Sequence, residues 1–155
     1  MSTSTSTARS STAYSFRLER TYPATRRRVF RAWAKADDKL KWFGAFPSFE
    51  RVAYRLDFRL GGAEHSAVGM NGGVMSYDAV YFDIVDDARV VLAYDMHAGP
   101  TKISASVLTV ELFDVDAGDR GAVPQAARGN AVGGQAPSLR AESIQRVAGT
   151  SARSE

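Results

Sequence analysis

The chain has no cysteine. Disulfides, thiolate metal sites and a cysteine nucleophile are thereby excluded, and a reducing cytoplasm is an unremarkable home. Histidine is nearly as scarce, with His65 and His97 the two copies. No apolar run approaches the roughly 20 residues needed to span a bilayer. Met1 to Ala13 is rich in Ser and Thr and lacks the apolar stretch of a secretory signal, so residues 1–13 are expected to form a disordered arm. Phosphate loops are missing too: neither Gly-x-x-x-x-Gly-Lys-Ser/Thr nor Gly-x-Gly-x-x-Gly occurs, and no Ser sits in a Gly-x-Ser-x-Gly elbow. From Gly121 to Glu155 there is no aromatic residue, no Lys and no Asp.

That last absence divides the chain. All 16 aromatic residues fall between Tyr14 and Phe113, so a core must be built there. Three segments are expected: the arm at 1–13, a single domain at 14–116 and an atypical tail at 117–155. Arg128, Arg140, Arg146 and Arg153 against Glu142 and Glu155 give residues 121–155 a charge of +2, which leaves +1 of the net +3 for the rest. The basic balance is thus no signature of a nucleic-acid surface, and no aromatic-interleaved basic strand supports one. Arg26, Arg27, Arg28 and Arg31 read as the solvated face of a helix.

The aromatic-bearing segment opens with Tyr14, Phe16 and Leu18 alternating with Ser15, Arg17 and Glu19, the period of a half-buried strand. A helix over Arg26 to Trp33 follows, with Thr25 as its cap and Val29, Phe30 and Trp33 on one face. A second short helix is expected from Ala36, capped by Asp37. Leu56 to Gly62, ending in Gly-Gly, resembles a strand of the family named below, Ser76 to Val85 with Arg89 to His97 resembles that family's central hairpin, and Ile103 to Phe113 is similar to its following long strand. The glycines of Gly61-Gly62 and Gly72-Gly73 serve turns or bulges.

This succession resembles the START-like, helix-grip (SRPBCC) superfamily, and within it the homologues of heat-shock-protein-90 ATPase activators, over roughly residues 14–116. Thr25 stands where a Pro or Ser is usual and Arg27 where an acidic residue is usual. The fold expected is α+β: a curved antiparallel sheet in the chain order β-α-α-β-β-β-β, two short helices after the first strand, and the family's long C-terminal helix absent or degraded. The tail supports two readings. It is a divergent segment with one short helix, or it is a frameshift product, since Arg, Ala, Gly and Pro enrichment is what out-of-frame GC-rich DNA encodes.

For function, Phe58, Tyr77, Tyr81, Leu92, Tyr94, Met96 and Leu108 occupy alternating strand positions, and Trp33, Trp42 and Phe43 sit on the helices. Ordinary core explains each singly. As a set, the resemblance implies that they line a concavity for a small apolar or aromatic molecule, with no cofactor. Asp95 and His97 share a strand face and are the candidate catalytic pair, with Tyr77 and Tyr94 beside them in a polyketide cyclase-type reading. Glu64 and His65, being adjacent, would point apart. Spacing supplies no third ligand, so no metal is expected. The resemblance also implies a chaperone as a possible partner. The oligomeric state is not encoded in any pattern here.

Overall fold

The computed structural model describes residues 13–22, 24–45, 47–114 and 123–132. The elements, in chain order, are β1 (Ala13–Tyr22), α1 (Arg26–Ala34), α2 (Ala36–Lys39), β2 (Glu50–Leu56), β3 (Ala63–Met70), β4 (Gly73–Val85), β5 (Arg89–Ala98), β6 (Thr101–Leu112) and β7 (Val123–Val132). The strands form one antiparallel sheet in the order β1-β7-β6-β5-β4-β3-β2. The α+β class is as expected. Among the described residues no helix is long and apolar enough to cross a membrane.

α1 starts where Thr25 accepts a hydrogen bond from the Arg28 amide at 3.3 Å, and it buries Val29, Phe30, Ala32 and Trp33. The cap of α2 differs from expectation: Lys35 is the N-cap, without a side-chain bond, and Asp37 lies inside the first turn, where its charge still opposes the helix dipole favourably. Trp42 is fixed by donating its indole N–H to the Ala32 carbonyl at 3.0 Å, which ties the end of the second helical turn back onto α1.

Two strands exceed the expected five, and one moves. The strand placed over Leu56 to Gly62 ends at Leu56. Residues 57–62 form a turn in which Gly61 takes φ 71° and Leu60 is exposed. Gly61 donates to the Tyr81 carbonyl at 2.8 Å and Tyr81 donates to the Gly62 carbonyl at 3.0 Å, so the turn is pinned to mid-β4. The unforeseen β3 follows and returns through Asn71 and Gly72, both at positive φ (51° and 78°), into β4. A two-residue Asn-Gly turn matches the twist of flanking antiparallel strands.

The other unforeseen strand, β7, lies within the segment expected to be an atypical tail. It pairs with β1 on one edge and β6 on the other. A strand laddered along both edges draws its order from that backbone pairing, so weak alternation in its own sequence counts for less. Pro124, which has no N–H, falls opposite Thr21 and one residue before the β6 register begins at Gln125. The expected arm (apart from Ala13) and the remaining tail, with the expectation that the family's C-terminal helix is absent or degraded there, lie outside the described residues.

Candidate functional site

On one face of the sheet, β-pleating and register stack inward residues into rows. Tyr54, Ser66, Tyr77, Met96 and Ser104 form one row; Leu56, Glu64, Ala79, Tyr94 and Ser106 the next; Tyr81, Leu92 and Leu108 a third. The helices cover them. The ten residues expected to line a concavity all join one apolar cluster: Trp33, Trp42, Tyr81, Leu92, Tyr94 and Leu108 are buried, and Phe43, Phe58, Tyr77 and Met96 pack half-buried against them. Ring contacts run Trp33–Trp42–Phe43–Tyr77–Tyr94 at centroid separations of 4.9, 5.8, 5.0 and 5.1 Å. A second chain runs Phe30–Phe58–Tyr81 at 5.7 and 4.9 Å.

Between the two aromatic chains sits a buried ion pair that sequence reasoning missed. Lys39, the last residue of α2, and Glu64 on β3 are both sealed from solvent, with Nζ to Oε2 at 2.6 Å. Tyr81 donates to the same carboxylate oxygen at 2.7 Å, and Tyr54 donates to Oε1 at 3.1 Å. The ammonium also lies 5.1 Å from the centroids of Trp33 and Phe43, within cation–π range. Burial pushes the Lys39 ammonium pKa down, and the Glu64 carboxylate pushes it back up. Tyr54, Tyr77 and Tyr81 are all raised, first by desolvation and then by the Glu64 charge, so they stay neutral phenols, and Tyr54 and Tyr81 donate to Glu64.

Elsewhere in this interior, three buried polar atoms lack a partner among the described residues. Ser104 Oγ, Ser106 Oγ and Trp33 Nε1 are buried and have no hydrogen-bond partner among the described residues. Unpaired buried polar groups cost about 1–3 kcal/mol each. The two serines, two residues apart on β6, share the inner sheet face, whereas Trp33 belongs to α1; buried hydroxyls of this kind are ordinarily met by a bonding partner such as a ligand or water.

The candidate catalytic pair lies elsewhere. Tyr94 is buried against Tyr77, whereas Asp95 and His97 face the opposite side of the sheet, where Asp95 pairs with Lys102 and lies 3.6 Å from His97 Nδ1. Asp95 and His97 do share a face, as expected, but the four-residue set with Tyr77 and Tyr94 is split by the sheet. His65 likewise faces outward, away from its neighbour Glu64, and holds Asp78 at 2.7 Å.

Comparison with known proteins agrees with this architecture. The family described as "Activator of Hsp90 ATPase homolog 1-like protein" matches residues 23–146, which runs 30 residues past the end of the resemblance seen at 116. A protein from Rhizobium loti of known structure is 31% identical with a TM-score of 0.72, covering 82% of this chain and 84% of its own. Another from Rhizobium leguminosarum is 34% identical with a TM-score of 0.72, covering 92% and 93%. A Staphylococcus aureus protein of unknown function, 18% identical with a TM-score of 0.64 over 88% and 80%, shares the fold. No curated protein gives a match.

Proposed function

Since the chain belongs to the Activator of Hsp90 ATPase homolog 1-like family, we propose that it acts as a cytoplasmic START-like binder of a small apolar or aromatic molecule, held between sheet and helices. The observation that carries this reading is the pair of buried hydroxyls, Ser104 and Ser106, which have no hydrogen-bond partner among the described residues and lie on a sheet face otherwise lined with rings. Pockets for small molecules combine that apolar lining with a few convergent polar groups.

In this reading the ligand's flat body lies over Tyr77, Tyr94 and Met96, and its oxygen or nitrogen atoms meet the two serine hydroxyls in the neighbouring rows. The Lys39–Glu64 pair is a fixed polar wall: its charges are mutually satisfied, so it shapes the cavity and holds Tyr81 and Tyr54 as oriented phenols. A thermal-shift and native mass-spectrometry screen against fatty acids, sterols and aromatic polyketides tests it. A hit that stabilises the wild type and loses affinity in Ser104→Ala/Ser106→Ala supports the reading. Absence of any stabilising compound, or affinity unchanged in that variant, counts against it.

A cyclase activity would need proton-moving groups on the inner face, where neutral phenols and a paired carboxylate are what the geometry offers. Stimulation of a chaperone ATPase follows only from the family description; a pull-down with heat shock protein 90 and an ATPase assay decide it.

A further inference from the structure

Both histidines of the chain, and two aspartates, come together on the sheet face opposite the aromatic cluster. Asp78 on β4 stands directly across from Asp95 on β5, and Asp78 also pairs with His65 on β3. Like charges directly opposite each other in an antiparallel pair repel, and a cation between them removes that cost. His97, two residues beyond Asp95 on the same strand, completes the group: one donor atom each from Asp78, Asp95 and His97 lies within 4.8 Å of the others.

The separations suit a shared ion. Two donors about 2.1 Å from one tetrahedral ion sit roughly 3.4 Å apart. Asp95 Oδ1 lies 3.6 Å from His97 Nδ1, too far for a hydrogen bond, and this oxygen is shielded from solvent with no hydrogen-bond partner among the described residues. Asp78, in turn, is held by His65 Nδ1 at 2.7 Å, the kind of outer hydrogen bond that orients a ligating carboxylate. The donors sit on adjacent central strands, which fixes them more rigidly than a loop would.

We propose that Asp78, Asp95 and His97 form a divalent transition-metal site with His65 as the residue that orients Asp78. One imidazole and two carboxylates select a borderline ion of the Zn²⁺ and Co²⁺ class over Mg²⁺ or Ca²⁺, which prefer all-oxygen shells. Three protein ligands leave one position open to water or an exogenous ligand. Lys102 now pairs with Asp95; its side chain is half exposed, so it can swing aside when an ion enters.

The test uses the tag-free full chain stripped with chelator and titrated with Co²⁺, reading the visible d–d absorption, then with Zn²⁺ in competition. The expected result is saturable 1:1 binding, weakened about 10-fold or more by Asp78→Asn or by His97→Ala, and about 10-fold by His65→Ala. Lys102→Met removes a competing cation and should tighten binding about 3-fold. These side chains are all partly exposed, and circular dichroism verifies that each variant is folded. No saturable binding up to about 100 µM ion, or binding unchanged in Asp78→Asn/His97→Ala, overturns the proposal. Because the site is on the other face, its failure leaves the ligand-binding proposal standing, and the reverse also holds.

Discussion

Replacing Lys39 by Met is the sharpest test of how the interior is organised. Both side chains of the Lys39–Glu64 pair are sealed, at 1% and 0% exposure. Met keeps most of the lysine stem and so costs little in packing. What it removes is the charge that balances Glu64, and breaking a buried pair by deleting one partner costs about 3–5 kcal/mol. Glu64 keeps its bonds from Tyr81 and Tyr54, which places the expected loss near 4 kcal/mol rather than higher. For a chain of this size that lowers the melting temperature by about 8–16 °C. Urea and thermal unfolding followed by the fluorescence of Trp33 and Trp42, both packed around the pair, measure it directly. Lys39→Met/Glu64→Gln should recover more than half the loss, because the amide oxygen still accepts a phenol and no charge remains. Should the single variant cost less than about 1 kcal/mol, or the double variant cost the sum of both singles, the pair is not coupled as described.

Four further outcomes follow from the same geometry. Tyr54, Tyr77 and Tyr81 have native pKa values raised above the ordinary 10.0, so their contribution is complete below pH 10 and is lost as pH climbs toward those raised values; the urea midpoint should fall steadily above pH 10. Asp38 is lowered from 3.8, chiefly by its hydrogen bond from Lys41, so its stabilisation is full above that value and disappears as pH drops through the lower native one. Wild type and Asp38→Asn should therefore differ at pH 7 and converge in acid. Gly62→Ala would set a Cβ 2.2 Å from the Asp57 carbonyl oxygen and should cost about 3 kcal/mol. Gly61→Ala, strained only by its positive φ, should cost about 1 kcal/mol, and chemical denaturation separates the two.

Much of the fold is visible in the amino-acid pattern because large apolar residues dictate it. Val29, Phe30 and Trp33 have to share a helix face, and Tyr77, Tyr81, Leu92 and Tyr94 have to share a sheet face. Lys39 and Glu64 escaped for the opposite reason: within its own segment each reads as solvent-facing, and only tertiary packing brings them together across 25 positions. Asp78 escaped because it meets Asp95 through strand register, which no spacing rule along the chain reveals. β3 did have a signal, the Asn71-Gly72 dipeptide between strand-like runs, which is a strong local mark of a two-residue hairpin. β7 had almost none, since its order comes from both its neighbours.

The place of β7 also sets the order of events during synthesis. Among the described residues β1 pairs only with β7, Ala13 lying opposite Val132 and Tyr22 opposite Val123. β1 thus waits for a strand made roughly 100 residues later, about 5–20 s at ordinary elongation rates. Meanwhile the hairpins from β2 to β6 can assemble from neighbours in the chain, but β1 cannot join them. Translation halted before residue 123 would leave both β1 and β6 as open edges, and such a nascent chain would recruit strands from its neighbours instead of its own missing one.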